Sequence, residues 1–235
     1  MALITSMDEM FLSGPVGPDG GLFVLVAFLA YFLGCFNGAV IVSKYILKDD
    51  VRAHGSGNAG LTNFYRTFGG PLTLVVILTD VLKAVFAGLL GKYLPILALH
   101  PATPSSITEP WACFGLLIGG LFCMIGHMFP CMFHFKGGKG VLSGGIVAIL
   151  LDWRVALIVW GGFFILTALT RYVSLGSIYA GAAFPFATYF VMHSLILAAL
   201  AGCCGVLLVW GHRANIGRLL KGQENKFSFH HKGGV

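Results

Sequence analysis

The sequence predicts an all-α integral membrane protein: one polytopic domain of seven transmembrane helices, with the N-terminus outside and the C-terminus in the cytoplasm. Three observations predict it. The 235 residues are 57% hydrophobic and only 10% charged, whereas a soluble domain carries roughly 25% charged residues, so these charges could not cover a soluble core. The apolar residues fall into runs approaching the ~20 residues a helix needs to cross a ~30 Å hydrocarbon layer. The Lys and Arg residues collect in alternate connections between those runs.

The segment before residue 22 holds Asp8, Glu9 and Asp19 and no Lys or Arg. It lacks the basic start of a secretory signal, so the first run is a retained span. Runs 22–42, 72–94, 111–128 and 194–210 are long and apolar. Runs 141–151, 155–170 and 175–191 are shorter or interrupted; a re-entrant 141–151, with six crossings, is the alternative to seven. The connection 95–110 holds Pro95, Pro101, Pro104 and Pro110, which predicts an ordered or extended outside loop. Six cysteines with no CxxC pair lie mostly in apolar runs, where they pack as small hydrophobes.

The net charge is +6. Twelve of the fifteen Lys and Arg residues fall on one side of this topology, in 43–71, around Lys136 and Lys139, at Arg171 and in the C-terminal tail. The positive-inside rule makes that side cytoplasmic. A basic balance placed this way points to membrane lipid and an anionic substrate, not to nucleic acid. Asp80 and Lys83 are the exception, since they lie inside the second run at helical i, i+3 spacing. Charges at that depth are costly. They read as a mutually neutralised pair facing the bundle interior, with a proton or ion relay as the sharper alternative.

Three polar islands stand out on the cytoplasmic side. Residues 55–66 combine Gly55, Ser56, Gly57, Asn58, Gly60, Thr62, Asn63 and Arg66. Glycines let backbone approach an anion, and the hydroxyl, amide and guanidinium groups supply donors. The bland reading is a flexible loop with a routine arginine. Residues 126–140 end in Gly137-Gly138-Lys139-Gly140 at the entry to the next run, where backbone N–H groups and an ammonium meet. The competing reading is a tight turn with snorkelling lysines. His127, Cys131 and His134 lack a fourth ligand and an acidic second shell, so no metal is expected. In residues 211–224, His212, Asn215 and Arg218 recur at helical spacing on one face; a basic helix on anionic headgroups is the alternative. A weaker island at 171–177 adds Ser177. Together they make a cationic, carboxylate-poor face beside an apolar bundle, suited to a phosphate and an acyl chain.

These islands resemble the cytoplasmic motifs of the bacterial acylphosphate-dependent glycerol-3-phosphate acyltransferases. The first is similar to GSxNxGxTNxxRxxG from Gly55 to Gly69, the second to GHxFPxxxxFxGGKG at every fixed position from Gly126 to Gly140, and the third to HxxNIxRLxxGxE from His212 to Glu224. Gly211 departs from the basic residue the family often places before the histidine. The resemblance implies a multi-pass protein of the bacterial inner membrane with its active site on the cytoplasmic face. It implies transfer of a fatty acyl group from acyl phosphate to the sn-1 hydroxyl of glycerol 3-phosphate, giving lysophosphatidic acid and phosphate, with no cofactor. By resemblance Ser56, Arg66, Lys139, His212 and Asn215 hold glycerol 3-phosphate. Thr62, Gly137, Gly138 and Ser177 help hold acyl phosphate, and Asn63, Arg218 and Glu224 complete the substrate site. The proton acceptor is either His212 or a substrate phosphate. An organic-phosphate transporter is the alternative function, and a structural membrane partner a third.

Overall fold

A computed structural model describes residues 6–13, 17–99 and 101–227. Lys232, counted above with the basic tail, lies outside them. The described residues are helical almost throughout: α1 (Ser6–Ser13), α2 (Gly20–Cys35), α3 (Gly38–Ile41), α4 (Leu61–Thr67), α5 (Leu72–Leu97), α6 (Ser105–Met128), α7 (Val141–Leu151), α8 (Trp153–Thr170), α9 (Val173–Met192), α10 (Leu195–Gly211) and α11 (Arg213–Leu220).

Among the described residues, five helical spans are long and apolar enough to cross a bilayer, and six if α10 and α11, bent by 57°, count as one. The seven expected runs all form helices, but α7 has only 11 residues, about 16 Å at 1.5 Å per residue, roughly half of a hydrocarbon core. It is the run the sequence marked as weakest. Asp152 ends α7 and caps α8, its side chain accepting the Arg154 N–H at 2.7 Å. The proline-rich connection is shorter than expected. Pro95 lies inside α5 and Pro110 inside α6, both buried. Each removes about one backbone bond near a helix end, and packing against the neighbouring helix offsets that loss.

The core sits around α6, most of which is buried, whereas little of α8 is. Leu116, Leu117 and Met124 of α6 meet Val147 of α7, Phe184 of α9 and Leu197 and Leu208 of α10. Close approach of α5 and α6 depends on Gly91 and Gly115, where a Cβ on either would strike the other's carbonyl. Large apolar side chains such as Leu157, Ile165 and Leu169 of α8 and Phe186 and Phe190 of α9 point away from this core, the surface a bilayer would cover.

Two breaks position the polar end. The first run is interrupted at Phe36-Asn37, and Asn37 restarts it as α3 by accepting the Val40 N–H at 3.1 Å. A π-helical turn over Val42–Ile46 then leads into the first polar loop. At the other end of the bundle α1 is clamped by the buried Asp8. Its carboxylate accepts the Ser194 hydroxyl (2.6 Å) and the Leu195 (2.9 Å) and Ile196 (3.3 Å) N–H groups at the start of α10.

Candidate active site

The first island folds around Asn63. Its amide nitrogen donates to the carbonyls of Val51 (3.0 Å), His54 (3.0 Å) and Asn58 (3.1 Å), and its oxygen accepts the Ser56 N–H at 3.0 Å. Asn63 borders the site, but this amide is occupied in shaping the loop. Thr62 and Arg66 lie one turn apart on α4, and both border the same cavity.

The second island is a strap. Gly137 and Gly138 donate N–H groups to the Met128 (3.1 Å) and His127 (3.1 Å) carbonyls at the end of α6. The Gly137 carbonyl accepts the Ala59 N–H at 3.3 Å, which joins strap to first loop. Arg52 adds a second tie, donating to the carbonyls of Phe133 (2.9 Å) and Lys136 (3.3 Å). Gly140, at φ 77°, then turns the chain into α7.

The third island closes the site. Glu224 returns after Gly222 and gathers its neighbours. Its Oε1 accepts the Ser174 hydroxyl (2.9 Å) and the Asn215 amide (2.7 Å), and its Oε2 accepts Arg218 Nε at 2.7 Å. The Asn215 oxygen is thereby turned to Lys139, whose Nζ donates to it at 2.6 Å. Arg66 donates to the Asn225 carbonyl at 3.2 Å, and the Phe227 N–H to the Arg171 carbonyl at 2.7 Å. The start of the tail thus crosses the end of the bundle.

These parts enclose a cavity of about 470 Å³, within the ~300–1,000 Å³ range of small-molecule sites. Ser56, Thr62, Asn63, Arg66, Lys139, Ser177, His212, Asn215, Arg218 and Glu224 border it. Gly137 and Gly138 border an adjoining space of about 290 Å³ instead. The two spaces share Ser56, Asn58, Lys139, Asn215 and Arg218. One wall is apolar, from Leu61, Ile77, Leu142, Trp160, Phe163 and Phe164. Behind Val141, Trp160 and Phe163 lies a further apolar crevice of about 20 Å³ between α7, α9 and α10.

The electrostatics favour a dianion. Burial, and then the Arg218 charge, lower the Lys139 ammonium to about 8. His212, just past α10, donates from Nδ1 to the Leu208 carbonyl at 2.8 Å, which leaves the Nε2 lone pair available. Burial and then Lys139 lower it to about 4, so the ring is neutral at pH 7. Burial would raise the Glu224 carboxyl, but hydrogen bonds from Asn215, Arg218 and Ser174 hold it below its usual value. The sequence missed Asn58, Ser174 and the aromatic wall as lining residues. Asn58 stood in the quoted motif; Trp160, Phe163 and Phe164 read only as span residues.

Residues 24–222 match the protein family described as glycerol-3-phosphate acyltransferase. The chain belongs to the glycerol-3-phosphate acyltransferase family. Curated glycerol-3-phosphate acyltransferases of Staphylococcus carnosus and Thermoanaerobacter pseudethanolicus are 35% and 38% identical to it, over 88% and 86% of this chain and 99% and 94% of theirs. The crystal structure of PlsY (YgiH), an integral membrane glycerol 3-phosphate acyltransferase, in its glycerol 3-phosphate form has a TM-score of 0.75 at 30% identity. It covers 88% of this chain and 96% of that one. The lysophosphatidic acid form gives 0.71 at 31%, covering 88% and 95%. This acyltransferase is therefore a multi-pass membrane enzyme, and family membership displaces the transporter and structural-partner alternatives. The 23 residues before the family match include α1.

Proposed function

We propose that this acyltransferase moves a fatty acyl group from acyl phosphate to the sn-1 hydroxyl of glycerol 3-phosphate, releasing lysophosphatidic acid and inorganic phosphate. The observation that carries the reading is the single cavity in which Ser56, Arg66, Lys139, His212, Asn215 and Arg218 face an aromatic wall. A phosphate dianion fits the three cations, and an acyl chain fits Trp160, Phe163 and Phe164 with the crevice behind them.

Acyl phosphate is a mixed anhydride with a good leaving group, so positioning and charge neutralisation carry most of the barrier lowering. The hydroxyl oxygen attacks the acyl carbonyl carbon; the bond from that carbon to the bridging oxygen breaks; phosphate departs with that oxygen. The neutral His212 Nε2 accepts the hydroxyl's hydrogen bond and orients it. Departing phosphate becomes more basic than an imidazole lowered to about 4, so the proton ends on phosphate and His212 acts by orientation. Lys139, Arg66 and Ser56 hold the glycerol 3-phosphate, while Thr62 and Ser177 hold the donor phosphate; the glycine strap, its N–H groups taken by the Met128 and His127 carbonyls, serves to position Lys139. Asn63 and Glu224 act by shaping: the first knits the loop that presents Ser56, the second aims Asn215 and Arg218.

The basic loops support a cytoplasmic site in the bacterial inner membrane, an outside N-terminus and a C-terminus inside. The test compares acyl phosphate, acyl-CoA and acyl carrier protein as donors to the purified enzyme, with product regiochemistry read by NMR. Turnover with acyl-CoA but not acyl phosphate would refute the donor assignment.

A further inference from the structure

One buried cluster is unused by this chemistry. Asp80 and Lys83 of α5 pair at 2.7 Å, with side chains only 3% and 4% exposed. Lys83 Nζ also donates to His127 Nδ1 at 2.7 Å and to the Phe36 carbonyl at 3.1 Å. Lys83 thus makes two hydrogen bonds besides its ion pair with Asp80. His127 Nδ1 lies 3.5 Å from the Asp80 carboxylate. Well-packed apolar residues would fill such a site at less cost than buried charges, and membrane depth increases the cost. Charges kept there need another reason.

The contacts supply one. The Phe36 carbonyl is the one freed by the break between α2 and α3, so Lys83 fixes that break. His127 supports the strap: its carbonyl holds the Gly138 N–H, and a Cβ on Gly138 would run into the His127 ring and lie 2.9 Å from the Ala59 carbonyl. Ala59 bonds Gly137, and Asn37, next to Phe36, donates to the Ala59 carbonyl at 3.1 Å. The path from Phe36 through Lys83, His127, the strap, Ala59 and Asn37 back to Phe36 is a closed circuit. It joins the first two islands, and Lys139 projects from its edge.

We propose that Asp80, Lys83 and His127 are positioning residues for the phosphate site: the buried ion pair sets the angle of the His127 ring, and the ring is the platform on which the Gly137–Gly138 strap aims Lys139. This rests on the phosphate-binding role proposed for Lys139. Asp80 and His127 themselves border the cavity; the triad's effect on glycerol 3-phosphate affinity is assigned to the aim of Lys139, whereas a direct contact would cost the same with Lys139 removed.

The test is a double-mutant cycle read by titration calorimetry of full-length enzyme with glycerol 3-phosphate and no acyl donor, with turnover measured on the same preparations. His127→Asn keeps an acceptor for Lys83 but removes the ring. It is expected to weaken glycerol 3-phosphate binding at least tenfold in the wild-type background and less than twofold on top of Lys139→Met. Asp80→Asn/Lys83→Met removes both charges together, leaving no unpaired buried ion, and carries the same cycle if His127→Asn is not recovered from membranes. Binding within twofold of wild type, or the same fold loss in both backgrounds, overturns the proposal. Binding without turnover by the wild-type enzyme would refute the acyl-transfer reading and leave the cycle readable.

Discussion

Replacing Lys139 with Met keeps the aliphatic stem and removes the charge. The ammonium is largely buried and donates to Asn215 at 2.6 Å, beside Arg218 and Arg66. A hydrogen bond to a charged group contributes about 1.5–3 kcal/mol. At about 1.4 kcal/mol per tenfold, kcat/KM for glycerol 3-phosphate should fall about 10- to 150-fold. The pH dependence gives a second, independent reading. Lys139 titrates at about 8, so its charge is present below pH 8 and lost above it. The wild-type kcat/KM, which reports the free enzyme, should fall toward tenfold per pH unit above pH 8. The Lys139→Met enzyme should start low and show no such limb. The assay is initial-rate lysophosphatidate formation in detergent from pH 6 to 9 at saturating acyl phosphate. A kcat/KM within threefold of wild type at pH 7, or an alkaline limb unchanged in Lys139→Met, would refute the assignment.

Glu224→Gln should raise KM for glycerol 3-phosphate about tenfold, because the new NH₂ meets the Asn215 or Arg218 donor and leaves one unsatisfied, at about 1–3 kcal/mol; steady-state kinetics check it. The Glu224 carboxyl sits below its usual value, so the stability its hydrogen bonds contribute is present above the ordinary carboxylate pKa. That stability is lost as pH falls through the lower folded value, which thermal unfolding from pH 7 to 3 would register as a loss absent from Glu224→Gln. His212→Ala removes the acceptor that orients the attacking hydroxyl and should lower kcat by ~10²-fold, the scale of a misplaced reacting group, with unfolding temperature little changed. Asp8→Ala leaves Ser194 as the cap of α10 but strips the Ser194 hydroxyl and the Leu195 and Ile196 N–H groups of their acceptor, and should cost about 1–3 kcal/mol, or roughly 2–12 °C in unfolding midpoint for a chain this size, while kcat stays at the wild-type value.

The three polar islands were legible because their chemistry is local. Glycines beside Ser56, Arg66 and Lys139 need no tertiary contact to read as an anion-binding surface. The Asp80–Lys83 pairing was equally legible, since i, i+3 spacing alone brings the two together. Its third member was not, because His127 lies 44 residues away and only packing of α5 on α6 brings it there. Asn63 and Glu224 illustrate the same limit. Their side-chain types suit ligand contact, yet the structure occupies them with Val51, His54, Asn58 and Ser56 in one case and Ser174, Asn215 and Arg218 in the other. Pro95 and Pro110 misled because a proline's local penalty is about one backbone bond, and helix packing outweighed it.

The amino-acid sequence by itself determined that the chain is a helical membrane protein with a cationic, glycine-rich polar end, because apolar run length and residue type set both. The tertiary structure kept α7 at the same 11 residues, 141–151, that the sequence marked as short. It alone closed those polar segments around one 470 Å³ cavity, and it placed a buried ion triad beneath the strap. Those outcomes depend on which helices touch, and helix contacts are set by shape and partner geometry over distances that no local pattern encodes.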